Sequence, residues 1–294
     1  MNRPQARLLA DGRRLHLNHG PIDLIAEAFG EMGEVEAAYR QIVTRFDTVL
    51  GELVEELAEL RKPASVLPRA FAGSTARRME AAVAPLSETF ITPMAAVAGA
   101  VADETLAALV EGRRLDKAYV NDGGDVAIHL TPGASIGAAI AGTGHALSDR
   151  LTIHHADDVR GIATSGWPGR SFSLGIADAV TVLARTAAQA DAAATIIANA
   201  VDLPGHPAVT REAANGLAPD SDLADRLVTT GVGPLSAPEI SEALGRGAAV
   251  AEHLRRRGLI EAAALFLKGE TRVVGRTMLA SAQHEKMYRE PVHA

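Results

Sequence analysis

The sequence contains no cysteine. That absence removes disulfides, cysteine-ligated zinc, iron–sulfur clusters, thiol nucleophiles and a lipidated cysteine anchor together. Aromatic residues make up only 3% of the 294 positions, with a single tryptophan, so few rings are available to stack on bases or to cage a flat ligand from both sides. A flat ligand is expected to be held largely by backbone. There is no basic excess either: 29 Lys and Arg stand against 36 Asp and Glu, a net charge of −7. The arginines are scattered rather than clustered, and nucleic acid is not an expected partner. Residues 1–20 are polar and basic with no apolar core, and the smoothest apolar stretch, Pro93–Ala102, is too short to span a bilayer. The expectation is a cytoplasmic protein with no membrane partner. Also lacking are Gly-x-x-x-x-Gly-Lys, Gly-x-Gly-x-x-Gly at a helix start and His-Glu-x-x-His, which removes the commonest phosphate-loop, dinucleotide and zinc-protease readings.

What is present is a globular composition, 47% hydrophobic and 22% charged, sufficient for a sizeable core. Residues 1–294 are read as one domain, with two intimate subdomains as the alternative. A strand pair around Arg7–Leu17 turns at Asp11-Gly12. From Gly33 to Arg61 apolar residues recur at three-and-four spacing, Val35, Ala38, Ile42, Phe46, Val49, Leu53, Leu57 and Leu60, and predict one helix stopped by Pro63. Arg61–Pro85 reads as a loop with a short helix. Thr92-Pro93 opens a helix of small residues, Met94–Val110, whose Ala and Gly content lets another backbone approach closely. Strand-like runs follow at Lys117–Asn121, Asp125–Leu130, Ser135–Ala141, Leu151–His155, Gly161–Ser165 and Leu174–Leu183. A helix at Ala187–Ala200, an irregular excursion from Asp202 to Asp222, a helix at Pro238–Arg257 capped by Ser236, and a hairpin of Ala262–Lys268 with Thr271–Val274 complete the chain. The short spacings favour antiparallel neighbours and an α+β class.

Four places carry candidate chemistry. Asp191 and Thr195 stand four apart on the Ala187–Ala200 helix and share a face that Asn199 continues; a carboxylate beside a hydroxyl suits a hard cation such as Mg²⁺, or else Asp191 merely favours the helix N-terminus. In Asn121-Asp122-Gly123-Gly124-Asp125, Asn121, Gly123 and Gly124 either present backbone N–H groups to a ligand or form a plain hairpin turn. Thr164, Ser165 and Gly166 close a strand with two hydroxyls and a glycine, able to bond a heterocycle or phosphate or simply to cap the strand. Arg170 is a bidentate donor for phosphate or carboxylate, or a surface residue. His19, Asp178 and the group His154, His155, Asp157 and Asp158 are weaker candidates, and Gly142-Thr143-Gly144 is a fragment of a loop motif.

Taken in order, the small-residue helix, the Asn-x-Gly-Gly-Asp turn, the Ala-Thr-Ser-Gly strand end, the Asp-Ala-Val-Thr-Val strand and the Ala-Asp-Ala-Ala-Ala-Thr helix resemble an ApbE-type protein from about Pro93 to Ala200. The Gly20-Pro21-Ile22-Asp23-Leu24 opening resembles the short cytoplasmic ApbE-like group. The resemblance implies an ApbE-like fold, α+β with antiparallel sheet flanked by helices. It implies FAD as ligand or substrate, Mg²⁺ as cofactor, cleavage of the FAD pyrophosphate, and FMN transfer to a threonine of an acceptor protein. It maps the metal ligands onto Asp191, Thr195 and the carbonyl of Ala98. Two departures are visible. Gly99 stands where the family usually has lysine, and Trp167–Ser173 replaces a His-Ile-Ile-Asp-Pro-like segment, so no catalytic residue is assigned. The competing expectation is a repurposed scaffold for another small anionic metabolite. A homo-oligomer is left open.

Overall fold

The computed structural model describes residues 3–139 and 150–275. Its centre is a nine-stranded sheet in which every neighbouring pair is antiparallel. Strands β1 (Gln5–Leu8), β2 (Leu15–His19), β3 (Ile22–Gly30), β4 (Leu115–Asp122) and β5 (Asp125–Leu130) lie side by side in chain order, with a helical excursion between β3 and β4. The sheet continues through β8 (Gly161–Ser165), β9 (Ala179–Ala184), β12 (Ala262–Leu267) and β13 (Glu270–Val274). Strands β6 (Ser135–Ala139) and β7 (Arg150–His154) pair separately and pack with Leu151 and Ile153 on Ile128, Ile162, Leu183 and Phe266 at one face of the sheet. A second separate ribbon joins β10 (Val209–Ala213) to β11 (Leu227–Val232).

Helices cover the other face. Helix α1 (Met32–Glu55) buries Ala38, Ile42, Phe46, Val49 and Leu53, the stripe its spacing predicts. It ends earlier than the sequence suggests: Glu56 leaves helical geometry at φ −104°, where its carboxylate accepts the Ala72 and Gly73 N–H groups at 2.8 and 2.9 Å, and α2 (Leu57–Leu60) forms a separate turn. Helix α3 (Ser74–Val83) fills part of the expected loop. Pro93–Ala96 is a tight 3₁₀ turn leading into α4 (Val97–Val110). This run, Pro93–Val110, is long and apolar enough to cross a membrane by length and composition alone, longer than the stretch singled out from the sequence; it packs against α1, α3, β4, β5 and α5 (Ala187–Ala200) as a core helix. Helix α7 (Ala237–Arg256), with the Ser236–Glu239 capping box, closes over α5, β12 and β13.

Two expectations are corrected. Leu174–Leu183 is strand only from Ala179, because residues 174–176 are drawn onto the end of α5: the Leu174 N–H donates to Asn199 Oδ1 at 2.9 Å and the Ile176 N–H to the Val201 carbonyl at 2.8 Å. The excursion after Asp202 contains β10 and the short α6 (Ala214–Leu217), whose pattern a register shift at Thr210/Arg211 disguises. The end of the Ser135–Ala141 run and Gly142-Thr143-Gly144 lie outside the described residues.

Candidate functional site

The two halves of the sheet meet at a narrow seam. Strand β8 pairs with β5 only through Val126 with Ile162 and Ala127 with Gly161. Beyond that the Thr164 N–H is released from the ladder and donates instead to Asp125 Oδ1 at 3.2 Å. Asp125 opens β5 on the helix-facing side, where Ala127 follows it in the core.

Above the seam α4 and α5 touch backbone to backbone. A Cβ added to Gly99 would stand 2.3 Å from the Ala187 carbonyl oxygen, so this contact exists only with glycine. The closeness lets the Gly99 N–H donate to Asp191 Oδ2 at 3.1 Å. It also lets Asp103 of α4 accept the Ala187 and Ala188 N–H groups at 3.0 and 2.9 Å, capping α5 from its neighbour. Burial raises the Asp103 carboxyl, and those two N–H groups pull it back.

Along α5, Asp191, Thr195 and Asn199 retain partial exposure while residues 192–194 and 196–198 are buried, the single face that i, i+4 spacing predicts. Asn199 is committed to structure, accepting from Ser173 Oγ at 3.2 Å and from the Leu174 N–H. Asp191 and Thr195 remain. The Asp191 carboxyl is enclosed, and burial pushes its proton affinity far up; the neighbouring Asp125 adds to this by repulsion and by accepting a hydrogen bond from it. Burial likewise raises Asp125. Burial pushes Asp122, at the end of β4, up to about 7, opposed by the Asp23 N–H and the positive charge of Arg170. Three carboxyls from β4, β5 and α5 thus crowd together, each shifted up chiefly by burial.

The third expected cation donor is differently placed. The Gly99 N–H faces Asp191 and the peptide is trans, so the Ala98 carbonyl of the same peptide unit points the opposite way. Asp125, not Ala98, lies against Asp191. Among the described residues no three His, Asp or Glu side chains form a metal cluster by themselves, so a cation here would draw on the Thr195 hydroxyl, water or a ligand's oxygens. Oxygen donors of this kind fit Mg²⁺.

The Asn121–Asp125 motif is a two-residue hairpin turn. Gly123 and Gly124 take φ of +64° and +123°, which other residues resist. The Gly124 N–H donates to Asn121 Oδ1 at 2.8 Å and is thereby spent inside the turn. Arg170 reaches this turn from the segment after β8, with Nη1 3.5 Å from where a Gly123 Cβ would stand. Thr164 bonds Thr181 hydroxyl to hydroxyl at 2.8 Å, Ser165 is partly exposed, and Gly166 packs so tightly that a Cβ would lie 2.5 Å from the Asp178 carbonyl. Gly166 therefore answers to packing.

Other candidates are dispersed. Asp178 accepts from Trp167 Nε1 at 3.2 Å and from the Lys268 N–H at 2.5 Å, tying β9 to two neighbouring loops. His19 is buried edge-on to Phe46, and among the described residues its Nδ1 has no partner. His154 and His155 flank a turn in which Asp157 accepts the His154 N–H, and Asp158 is exposed. A surface groove of about 730 Å³ on α1, lined in part by Arg40, Gln41 and Arg113, contains none of the motif residues. The residues missing from the sequence reading are Asp122, Asp125 and Asp103. The first two belonged to a quoted motif, and the signal was their position at the ends of two strands on the core-facing register.

Fold and site together define an antiparallel α+β protein with an acidic centre where two small-residue helices meet a sheet seam. The family model described as AbpE bacteria matches residues 6–273, and the chain belongs to that ApbE-like family. The UPF0280 protein of Methanothrix thermoacetophila is 42% identical over 112 residues, 38% of this chain and 46% of that protein. That of Methanopyrus kandleri is 40% identical over 129 residues, 44% and 49% respectively. The match thus spans about half the length of these relatives. Among solved structures, the flavin transferase ApbE of Vibrio cholerae aligns at 12% identity and a TM-score of 0.45, covering 94% of this chain and 99% of that one. The ApbE protein of Thermotoga maritima aligns at 11% and 0.47, covering 98% and 100%. Membership rests on the family model.

Proposed function

We propose that the chain is a Mg²⁺-dependent flavin-nucleotide-binding protein, acting as an FMN transferase or as a relative that cleaves the FAD pyrophosphate. The observation that carries this reading is the setting of Asp191, whose carboxyl meets a single N–H donor, that of Gly99, and lies beside the buried Asp125. Two carboxyls crowded together with so few donors are a costly arrangement that a divalent cation would relieve. Asp191 and Thr195 would hold the cation, with Asp125 beside them; the Ala98 carbonyl would join only if its peptide turned over. The cation supplies neutralisation of pyrophosphate charge. Asn121, Gly123, Gly124, Thr164, Ser165 and Arg170 line the approach from the seam, and Gly166 holds that strand end in place. An acceptor protein follows from the transferase reading alone.

The second reading, a repurposed scaffold for another small anionic metabolite, is favoured by the segment after β8. Trp167–Ser173 contains no His or Asp, and Asp178 beyond it is already bonded to Trp167 and Lys268. Titration with FAD, with and without Mg²⁺, followed by flavin fluorescence and analysis for FMN and AMP, separates the two. Mg²⁺-dependent binding with FMN and AMP released supports the enzyme, and loss of that binding in a folded Asp191→Asn variant ties it to this site. Binding without cleavage supports a scaffold. No binding of FAD by folded protein in either condition removes flavin.

A further inference from the structure

We propose that Arg170 is the specificity determinant of this site, selecting ligands that carry a phosphate over neutral ones by holding that phosphate above the Gly123-Gly124 turn. The inference rests on the binding reading above but concerns phosphate chemistry and not flavin.

The turn looks like a backbone anion receptor, and the structure gives it a different task. Its Gly124 N–H is consumed by Asn121 Oδ1, so that donor is closed to a ligand. The two glycines instead leave room: Gly124 faces open space, and beside Gly123 the nearest atom is Arg170 Nη1 at 3.5 Å. A side chain at Gly123 would fill the space next to that guanidinium. The charge balance points the same way. Asp122, Asp125 and Asp191 are gathered at the seam, and the positive charge that acts on Asp122 is that of Arg170, so a phosphate entering over the turn meets that cation first.

Arg170 is exposed and, among the described residues, forms no ion pair or hydrogen bond, unlike Arg45, Arg69 and Arg211. Its loop is nevertheless anchored at both ends. At one end the Trp167 N–H donates to the Ala177 carbonyl at 3.0 Å, the Trp167 indole to Asp178, and the Gly169 N–H to the Gly166 carbonyl at 3.2 Å. At the other, Ser173 and Leu174 bond Asn199, and the Ser173 carbonyl accepts the Thr229 N–H at 2.8 Å. On a doubly pinned loop the backbone needs no ordering on binding, and the uncommitted guanidinium offers two parallel N–H donors to phosphate oxygens.

The test measures binding of inorganic pyrophosphate in the presence of Mg²⁺ by calorimetry, for the full chain and for Arg170→Gln and Arg170→Lys, with FMN and riboflavin as a second pair of probes. Because Arg170 forms no bond among the described residues, both variants should melt with the parent chain. Arg170→Gln is expected to weaken pyrophosphate about tenfold to a hundredfold, the range of a charge-assisted hydrogen bond, and Arg170→Lys by less. FMN should lose its preference over riboflavin in Arg170→Gln while riboflavin affinity moves less than about twofold. Unchanged pyrophosphate affinity in Arg170→Gln, or no pyrophosphate binding by the parent chain at about 10 mM, overturns the proposal. Arg170-dependent pyrophosphate binding without binding of either flavin upholds it and instead ends the flavin reading.

Discussion

Two junctions in this molecule are built on aspartate, and they use it in opposite ways. Where the segment after β8 meets β9 and the β12–β13 turn, Asp178 is satisfied by the Trp167 indole and the Lys268 N–H, and it behaves as a structural tie. Where α4 meets α5, Asp191 receives one N–H from Gly99 and is otherwise pressed against a second carboxyl, so its proton affinity is raised. The difference is the number of donors each carboxylate meets, and it separates a residue that holds the fold from one left wanting a cation.

The sharpest way to break the comparison is to part the second junction. Gly99→Ala should cost about 3 kcal/mol, the upper range for overpacking a core, because its Cβ meets the Ala187 backbone; urea unfolding checks this, and a loss below about 0.5 kcal/mol would mean the helices separate freely. Asp178→Ala should come next, at about 2 kcal/mol for two bonds to a partly exposed charged acceptor. It should also shift the fluorescence of the sole tryptophan, Trp167. Asp191→Asn should move metal-free stability by less than about 1 kcal/mol, since burial already disfavours the charged carboxylate that the amide replaces, yet abolish any melting shift produced by Mg²⁺. If Asp178→Ala proved silent and Asp191→Asn unfolded the chain, the two roles would have to be exchanged.

The last effect is one of pH. Asp122 titrates at about 7 in the folded chain against 3.8 for an ordinary aspartate. Between those values the folded state binds more protons than the unfolded one, so metal-free stability falls as pH rises from about 4 to 7 and levels off above. Mg²⁺ should offset that loss where the carboxyls ionise, giving a larger thermal shift at pH 8 than at pH 5. Equal shifts at the two pH values would detach the cation from this cluster.

The legible parts of the fold were those with a local period or a local turn signal. The α1 stripe from Ala38 to Leu53, the full span of α5 and the Gly123-Gly124 turn each follow from spacing that neighbouring residues impose on one another. Residues 174–178 were read as strand because Leu174 and Ile176 alternate, but Asn199 and Val201 of a distant segment claim their N–H groups. For the candidate site, the i, i+4 face of Asp191 and Thr195 was visible in the sequence, whereas the company Asp191 keeps was not.

The sequence by itself determined that the helix pair would be small-sided, that Asp191 and Thr195 would share a face, and that thiol chemistry is absent, because composition and helical periodicity are properties of neighbours along the chain. Only the tertiary structure decided that Asp125 stands against Asp191, that the Ala98 carbonyl turns away, that Asp178 is spent on structure, and that Arg170 comes to rest on Gly123. These outcomes depend on where β5 and β8 part and on how closely α4 approaches α5. Both are distances between segments remote in the sequence, set by backbone packing at Gly99 and by hydrogen bonds at the seam.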